Sequence, residues 1–281
     1  MSSVLVTGAS GFIGRHLLQR LHADGHAIVA ADRRLGDMAD PETWQRLPRA
    51  AVVVHLAART FVPESWEAPS LFMRTNLLGT TAALDYCRAH GARLVFPSSY
   101  MYGDVARQPI AESTPLAASN PYALSKKLAE EACEFYGRQF GVPTTVLRPF
   151  NIYGPGQTAA FLIPTILAHV EAGREIRVKD LEPRRDFVYI ADVVDAIVKA
   201  VDRTGDFAAF NVGSGTSHSV AELIQTIQDV WGTALPVRAD GERRPGEIMD
   251  TVADIARARQ QLGWTPRFTL RRGLEALHAA R

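Results

Sequence analysis

Three glycines at intervals of three residues separate the first apolar run of the chain from its first helical pattern. The run Val4-Leu5-Val6 predicts a strand, the glycines fall at positions 8, 11 and 14, and residues Gly11 to Ala23 predict a helix. In such a loop the first glycine permits a tight turn, the second lets backbone amides approach a pyrophosphate, and the third lets the helix pack closely on the strand. The chain is therefore expected to contain a βαβ unit that binds a dinucleotide by its phosphates.

Strand-like and helical segments alternate through the first half of the chain. Further strands are predicted at 27–31, 50–56, 93–96 and 144–147, and longer helices at 71–90 and 122–140. This alternation predicts an α/β fold, a doubly wound parallel sheet of Rossmann type with helices on both faces. Hydrophobic residues make up 47% of the chain, which is enough to bury both faces of such a sheet and excludes a disordered chain.

The rhythm of strands and helices breaks after residue 150, where glycine and proline become frequent. We expect residues 1–150 to form a dinucleotide-binding Rossmann domain, with two strands around Phe187–Tyr189 and Phe210–Val212 returning to its sheet. Residues 151–186 and 213–281 are expected to form a smaller, mixed C-terminal lobe that holds the substrate. The chain then crosses between the two lobes more than once.

Charge and cysteine content exclude several classes of protein. Lys and Arg total 31 against 30 Asp and Glu, which gives no support to a nucleic-acid or membrane-surface binder. No apolar stretch reaches the roughly 20 residues that span a bilayer, and the first apolar run is too short for a secretion signal. Two cysteines, Cys87 and Cys133, exclude a disulfide scaffold and favour the reducing cytoplasm. No metal is predicted, because no cluster has metal-site spacing.

The end of the second predicted strand bears on the choice of cofactor. It reads Ala31-Asp32-Arg33-Arg34, with the acid about 20 residues beyond the glycine loop, where a carboxylate can accept hydrogen bonds from a ribose diol. Asp32 therefore favours NAD. Arg33 and Arg34 can instead neutralise a 2′-phosphate, which would favour NADP, or they form a solvated turn. The residues leave both cofactors open.

A tyrosine and a lysine four residues apart supply a candidate proton-transfer pair. Tyr122 and Lys126 share one face of the predicted helix, and a nearby ammonium is expected to lower the pKa of the phenol towards working pH. Ser98 and Ser99 follow a predicted strand, and the carboxyl ends of parallel strands line the ligand crevice of such a sheet. Hydroxyl groups and an activated phenol are therefore expected at one edge of the sheet.

These pieces together resemble the extended short-chain dehydrogenase/reductase family, in its group of nucleotide-sugar epimerases, dehydratases and reductases. The resemblance runs over nearly the whole chain and rests on T-G-A-S-G-F-I-G (7–14), G-D-M-A-D (36–40), H-L-A-A (55–58), N-L-L-G-T (76–80), S-S-Y-M-Y-G (98–103), Y-A-L-S-K (122–126), R-P-F-N-I-Y-G-P-G-Q (148–157), R-D-F-V-Y-I-A-D-V-V (185–194) and R-P-G-E (244–247). The motifs are specific for the family and much less so for the reaction.

The resemblance implies roles for individual residues. Tyr122 would be the acid/base, Lys126 would bind the nicotinamide ribose and tune Tyr122, and Ser98 would be the catalytic serine, with Ser99 as the fallback. Asn76 would be a hydrogen-bonder on the cofactor side or a structural cap. The predicted cofactor-binding residues are Gly8, Gly11, Phe12, Ile13, Gly14, Asp32, Arg33, Asp37, Met38, Leu56, Ala57, Ala58, Asn76, Tyr122, Lys126 and Pro149.

The resemblance also implies a nucleotide-diphosphate sugar as substrate. Arg185 and Arg244 would bind its diphosphate, since a guanidinium suits a phosphate fork. Alternatively, Arg185 pairs with Asp186 or Asp192 inside the protein, and Arg244 is a solvated charge. The predicted substrate-binding residues are Ser98, Ser99, Tyr122, Asn151, Leu162, Arg185 and Arg244.

The reaction is narrowed by two departures from the family pattern. Dehydratases of the family carry an Asp-Glu pair directly after the catalytic Ser/Thr, whereas this chain has Ser99 and Tyr100 there, which argues against dehydration. The segment between residues 32 and 50 is shorter than in longer members, so the adenosine is less enclosed and the cofactor exchangeable. This favours a 4-keto-(6-deoxy)hexose reductase. A 4-epimerase with tightly bound NAD is the alternative, and a non-catalytic dinucleotide sensor, which usually lacks the Tyr or Lys, a distant one.

The resemblance further implies a homodimer. Members of the family often associate through two long helices, represented here by 71–90 and 122–140, which form a four-helix bundle with a second copy.

Overall fold

A computed structural model describes residues 3–105, 107–241 and 248–281. Its strands are β1 (Ser3–Thr7), β2 (Ala27–Ala31), β3 (Val52–His55), β4 (Arg93–Pro97), β5 (Thr144–Pro149), β6 (Asn151–Tyr153), β7 (Ile176–Val178), β8 (Arg184–Tyr189), β9 (Ala208–Val212), β10 (Ser217–Ser219) and β11 (Val237–Ala239). Six of them, in the order β2-β1-β3-β4-β5-β9, form one sheet in which every neighbouring pair is parallel.

The helices connect these strands and cover the sheet. They are α1 (Phe12–Ala23), α2 (Pro41–Gln45), α3 (Val62–Glu67), α4 (Pro69–Phe72), α5 (Gly79–His90), α6 (Pro121–Phe140), α7 (Leu162–Glu171), α8 (Ile190–Asp202), α9 (Val220–Trp231) and α10 (Leu270–Ala279). A π-helical stretch, Met73–Leu78, joins α4 to α5, and a second one occupies Ala258–Leu262.

Both faces of the central sheet are buried. Val4 and Val6 of β1 belong to one apolar cluster, together with residues of α1 and α8, while Leu5 belongs to another, together with residues of α5 and α6. This alternation follows from the two-residue period of a strand, and a parallel sheet is normally covered on both sides. The prediction of a Rossmann-type doubly wound parallel sheet is confirmed.

The smaller sheets correct one detail of the predicted topology. The strand around residues 210–212 lies in the main sheet as β9, beside β5. The strand around residues 187–189 does not return there: β8 lies between β6 and β10 in a separate three-stranded sheet. The reason is that β9 occupies the free edge of β5, and that both edges of β8 are paired elsewhere. The division of the chain into two lobes stays a prediction.

Among the residues that the structure describes, no helix combines the length and the apolar character that crossing a bilayer requires. Within the same residues, no group of three or more His, Cys, Asp and Glu side chains lies close enough together to hold a metal ion.

Candidate active site

The glycine loop and the end of β3 fit against each other with no room for a side chain. Gly8 has a φ of +64°, and a Cβ atom there would lie 2.7 Å from the amide nitrogen of Ala57. A Cβ on Gly14 would lie 2.4 Å from the carbonyl oxygen of Gly8. Gly11 caps α1, and within the described part of the chain this cap has no side-chain hydrogen bond. The loop therefore offers a tight cradle whose amides can bind phosphate, next to the predicted cofactor residues Leu56, Ala57 and Ala58.

The Asp32 carboxylate at the end of β2 is engaged by Arg34. The Nε atom of Arg34 donates to both carboxylate oxygens at 3.1 Å, its Nη2 donates to Oδ2 at 2.7 Å, and its amide donates to Oδ1 at 3.0 Å. The hydrogen bonds from Arg34 hold the pKa of Asp32 below its usual value. The side chain of Arg34 is 90% exposed. The neighbouring Arg33 is exposed as well. A ribose diol or a 2′-phosphate would therefore meet Asp32 and Arg34 as a pair.

The segment after β2 is held in place by one buried hydrogen bond and by exposed polar contacts. Met38 is buried, and its carbonyl oxygen accepts a hydrogen bond of 2.8 Å from the indole of Trp44 in α2. Asp37 accepts hydrogen bonds from the amide of Ala39 at 2.9 Å and from Nε of Arg74 at 3.2 Å. One five-residue helix thus provides the only regular structure between β2 and β3, where every residue is described.

Asn76 joins the loop after β3 to the helix that carries the predicted acid/base. Its Nδ2 donates to the carbonyl oxygen of Arg59 at 3.0 Å and to Oγ of Ser125 at 2.8 Å, and its Oδ1 accepts from the amide of Arg59 at 2.8 Å. Ser125 in turn donates to the carbonyl oxygen of Tyr122. The side chain is 1% exposed and sits in the π-helical stretch. Of the two roles expected from the sequence, these contacts favour the structural one.

Tyr122 and Lys126 lie in the first turns of α6, on the face towards the sheet. The helix begins at Pro121, and Asn120 caps it by accepting a 2.8 Å hydrogen bond from the amide of Ala123. Lys126 is 3% exposed, donates from Nζ to the carbonyl oxygen of Pro97 at 2.7 Å, and lies 4.0 Å above the ring of Phe96. The lysine is thus directed at the carboxyl end of β4.

The pKa values of this pair correct an expectation from the sequence. Burial raises the pKa of the Tyr122 phenol, and a side-chain hydrogen bond with Ser99 opposes that change without cancelling it. The expected lowering by Lys126 is wrong for this structure, because the ammonium points at Pro97 and Phe96 and burial dominates. Burial lowers the pKa of Lys126 itself to about 8, against the opposing influence of Cys133 and Glu130. Tyr122 is consequently a protonated phenol at neutral pH.

The two serines after β4 occupy different environments. Ser99 is the serine whose side chain acts on Tyr122, where it opposes the rise of the phenol's pKa. Ser98 is 6% exposed, its amide donates to the carbonyl oxygen of Leu147 at 2.7 Å, and its buried Oγ has no partner among the described residues. The catalytic assignment of Ser98 stays a prediction, and the geometry brings the fallback residue to the phenol.

On the substrate side, Asn151 lies at the start of β6, directly beyond Pro149 at the end of β5. Its Oδ1 accepts a 2.9 Å hydrogen bond from the hydroxyl of Tyr100, and its Nδ2 donates to the carbonyl oxygen of Asp186 at 3.1 Å. The ring of Tyr100 stacks on Phe150 at 4.8 Å. Sequence reasoning had not assigned Tyr100 a part in the site, although its position beside the serines was a signal.

The other predicted substrate residues, Arg185 and Leu162, make their described contacts with residues other than Tyr122 and Ser99. Arg185 is half-buried in β8 and donates to the carbonyl oxygens of Arg184 at 2.9 Å and Ile248 at 2.6 Å. Leu162 is partly buried at the start of α7, where it packs against the larger core. Arg244 lies outside the described residues. Asp186 and Asp192, the alternative partners of Arg185, accept hydrogen bonds from Ser214 and from the amide of Arg267, respectively.

A buried ion pair next to Lys126 was missed by the sequence analysis. Glu130 is 3% exposed, and its Oε1 accepts a hydrogen bond of 2.8 Å from Nε of Arg148 in β5. Nη1 of Arg148 donates to the hydroxyl of Tyr102 at 2.9 Å, and that hydroxyl donates to Oδ1 of Asn211 at 2.6 Å. The available signal was a glutamate four residues after Lys126 on the same apolar helix face.

The comparisons with known proteins decide the family. The model of the NAD dependent epimerase/dehydratase family matches residues 4–213. This range contains the glycine loop, both serines and the tyrosine–lysine pair. The chain belongs to this family.

Individual members of the family are similar over almost their whole length. GDP-6-deoxy-D-mannose reductase from Pseudomonas aeruginosa is 34% identical, with 98% of this chain and 95% of the relative covered. UDP-glucose 4-epimerase from Mycolicibacterium smegmatis is 31% identical, with 96% and 95% covered. The structure of RMD from Pseudomonas aeruginosa complexed with NADPH has a TM-score of 0.91 at 32% identity, covering 99% of this chain and 98% of that one. The resemblance drawn from the sequence motifs is confirmed.

Proposed function

We propose that this member of the epimerase/dehydratase family is an NAD(P)-dependent reductase of a nucleotide-diphosphate 4-keto-6-deoxyhexose. The observation that carries the proposal is the position of Tyr122 beside Ser99, at the carboxyl end of the sheet that also bears the glycine cradle, where burial raises the pKa of the phenol. A phenol held in its acid form suits the reductive direction, in which the former carbonyl oxygen must gain a proton.

The residues of the cradle fit a nicotinamide dinucleotide. A Cβ at Gly8 or Gly14 would collide with backbone atoms, and the first turn of α1 leaves its amides available to phosphate. When bound, the reduced nicotinamide supplies the hydride. Tyr122 would then donate its proton to the C4 oxygen, Ser99 would hydrogen-bond the same oxygen, and Lys126 would bind the nicotinamide ribose.

The substrate diphosphate is assigned to the same side as Asn151. Tyr100 fixes the orientation of the Asn151 carboxamide, and Arg185 contributes positive charge from β8. Arg244 is proposed as a second guanidinium and Leu162 as part of the wall near the base, both by resemblance.

The proposed cofactor is NAD or NADP. The carboxylate of Asp32 can bind a ribose diol once Arg34 leaves it, and the exposed Arg34 guanidinium can bind a 2′-phosphate. The pair therefore favours neither cofactor decisively. A structure similar to this one holds NADPH, and the family is described as NAD dependent.

A homodimer is proposed through α5 and α6. Leu124, Leu128 and Phe135 recur along one side of α6, and Leu124 and Phe135 are 41% and 55% exposed. Leu78, the last residue of the π-helical stretch that leads into α5, is 50% exposed. An exposed apolar stripe at helical spacing is typical of helix–helix association. A second copy of the chain would bury these side chains in a four-helix bundle.

The proposed compartment is the cytoplasm, where the two buried free cysteines would stay reduced.

The second candidate function is a 4-epimerase. It is favoured by the similarity to UDP-glucose 4-epimerases, and it would use the same tyrosine. An epimerase must retain its cofactor, whereas a reductase must exchange it. The short connection between β2 and β3, with α2 as its one helix, offers little structure to enclose the adenosine and favours exchange. A sensor without activity is disfavoured by the presence of both Tyr122 and Lys126.

Cofactor retention tests these alternatives. The purified protein is denatured without added nucleotide, and the released small molecules are assayed for NAD and NADP. A reductase is expected to release far less than one equivalent. Stoichiometric NAD would contradict the proposal in favour of the epimerase, and UDP-sugars would then be the substrates to try.

A further inference from the structure

Four buried polar side chains connect the elements that form the candidate active site. Glu130 on α6 binds Arg148 on β5, Arg148 binds Tyr102 in the loop after β4, and Tyr102 binds Asn211 on β9. Each of the four residues is at most 8% exposed. The network therefore ties the serine loop to the helix that carries Tyr122 and Lys126, in a region from which water is excluded.

Glu130 is placed to act on Lys126. The two residues are one helical turn apart on the buried face of α6, and the Lys126 ammonium lies at the end of β4, beside β5. Oε1 of Glu130 accepts from Arg148, whereas Oε2 is buried without a hydrogen-bond partner among the described residues. A buried carboxylate with one oxygen that accepts no hydrogen bond exerts a negative potential on nearby groups, and Lys126 is such a group.

The other groups around Lys126 supply no comparable charge. His55 on β3 is buried, its Nδ1 bonds Thr7, and burial lowers its pKa to about 3, so the ring is neutral. Burial raises the pKa of Cys133 on α6, so the thiol is neutral as well. Arg148 on β5 is paired with Glu130. Among the described groups that interact with Lys126, Glu130 is the one carboxylate.

We propose that Glu130 is a positioning residue for the reaction: held by Arg148, its carboxylate stabilises the charged form of Lys126 and keeps the serine loop aligned with Tyr122. The inference rests on the proposed function, in which the Lys126 ammonium binds the nicotinamide ribose. Burial alone would drive this lysine towards the neutral amine, which donates weaker hydrogen bonds. Glu130 therefore preserves the cation at a position where desolvation opposes it.

The test is the pH dependence of NADH and NADPH binding, followed by the fluorescence of the bound reduced nicotinamide. In the unaltered protein, affinity is expected to fall as the pH rises through about 8, where Lys126 loses its proton. In Glu130→Gln, which keeps the size and the acceptor of the side chain, the midpoint is expected to shift down by about half a unit or more, which weakens binding about twofold at pH 8 and about threefold well above it. Glu130→Asp, which keeps the charge, is expected to restore the midpoint.

Tyr102→Phe is the matched control. It removes one hydrogen bond of Arg148 from the same network without changing any charge, so its midpoint is expected to match that of the unaltered protein. A midpoint that moves equally in Tyr102→Phe and Glu130→Gln, or that stays in place in Glu130→Gln, would overturn the proposal and leave Glu130 a structural residue.

A double variant and the binding assay itself cover the cases in which Glu130→Gln does not fold or the protein does not turn over the sugar. If Glu130→Gln does not fold, the double variant with Arg148→Gln removes both buried charges together and is expected to show a downward shift that is smaller, because a neighbouring cation is lost as well. Binding requires no sugar, so failure to turn over a 4-keto-sugar would contradict the reductase assignment and leave this inference standing. If the unaltered protein bound neither NADH nor NADPH, both the proposed function and this inference would fall.

Discussion

The guanidinium of Arg34 occupies both carboxylate oxygens of Asp32, at the end of the strand where the adenosine of a dinucleotide is expected. A ribose diol and Arg34 therefore compete for one carboxylate. A 2′-phosphate, by contrast, can recruit Arg34 away from it. We therefore propose this pair as the determinant of cofactor choice.

Replacing Arg34 tests that relationship. Arg34→Ala frees Asp32 for the ribose diol and removes a phosphate ligand, so the ratio of kcat/KM for NADH to that for NADPH is expected to rise by about tenfold. Asp32→Asn is the opposing control and is expected to lower the same ratio. An unchanged ratio in both variants would show that the adenosine lies elsewhere.

The proton donor is tested by Tyr122→Phe. Loss of the phenol removes the acid while leaving the ring that packs edge-on to Phe72. The kcat for reduction is expected to drop by about 10²–10⁴-fold, with little change in the affinity for NADPH measured by fluorescence. If the variant kept most of its kcat, another group would have to protonate the oxygen.

The two serines give a matched pair of variants. Ser99→Ala removes the hydroxyl that bonds Tyr122 and is expected to lower kcat by about tenfold or more, since one transition-state hydrogen bond is lost. Ser98→Ala removes a buried hydroxyl with no partner among the described residues and is expected to cost less kcat and no stability. The reverse order in steady-state kinetics would restore Ser98, the residue that the sequence favours.

The dimer is tested by charge placed on the apolar stripe. Phe135→Glu is expected to yield a monomer of 30.7 kDa in sedimentation experiments at micromolar concentration, because a buried carboxylate without a partner opposes association. Val237→Glu introduces the same charge at an exposed apolar position of β11 and is expected to leave the dimer intact. A monomeric unaltered protein would contradict the proposed interface.

Much of the fold could be predicted because its signals are local. The glycine loop, the valine-rich β3 and the α6 pattern each depend on residues close together in the chain. The pairing of β8 was predicted wrongly because strand partners are set by tertiary contacts: β6 and β10 took its edges, and no local pattern reveals that.

The chemistry of the site likewise divides into features set by local sequence and features set by tertiary contacts. The spacing of Tyr122 and Lys126 identified the pair, but the direction of the Tyr122 pKa depends on burial and on where the lysine points, which only the fold determines. Glu130 and Arg148 are 18 residues apart and meet across a helix–strand contact. Spacing rules that describe one helix cannot predict such a pair.

The most direct test of the central claim is the stoichiometry of reduction. The protein is mixed with NADPH or NADH and a nucleotide-linked 4-keto-6-deoxyhexose, and both the oxidised nicotinamide and the reduced sugar are quantified. The account predicts one nicotinamide oxidised for each 4-hydroxy sugar formed, over many turnovers. Conversion of a nucleotide hexose to its 4-epimer, with no net oxidation of added NADPH or NADH, would contradict it.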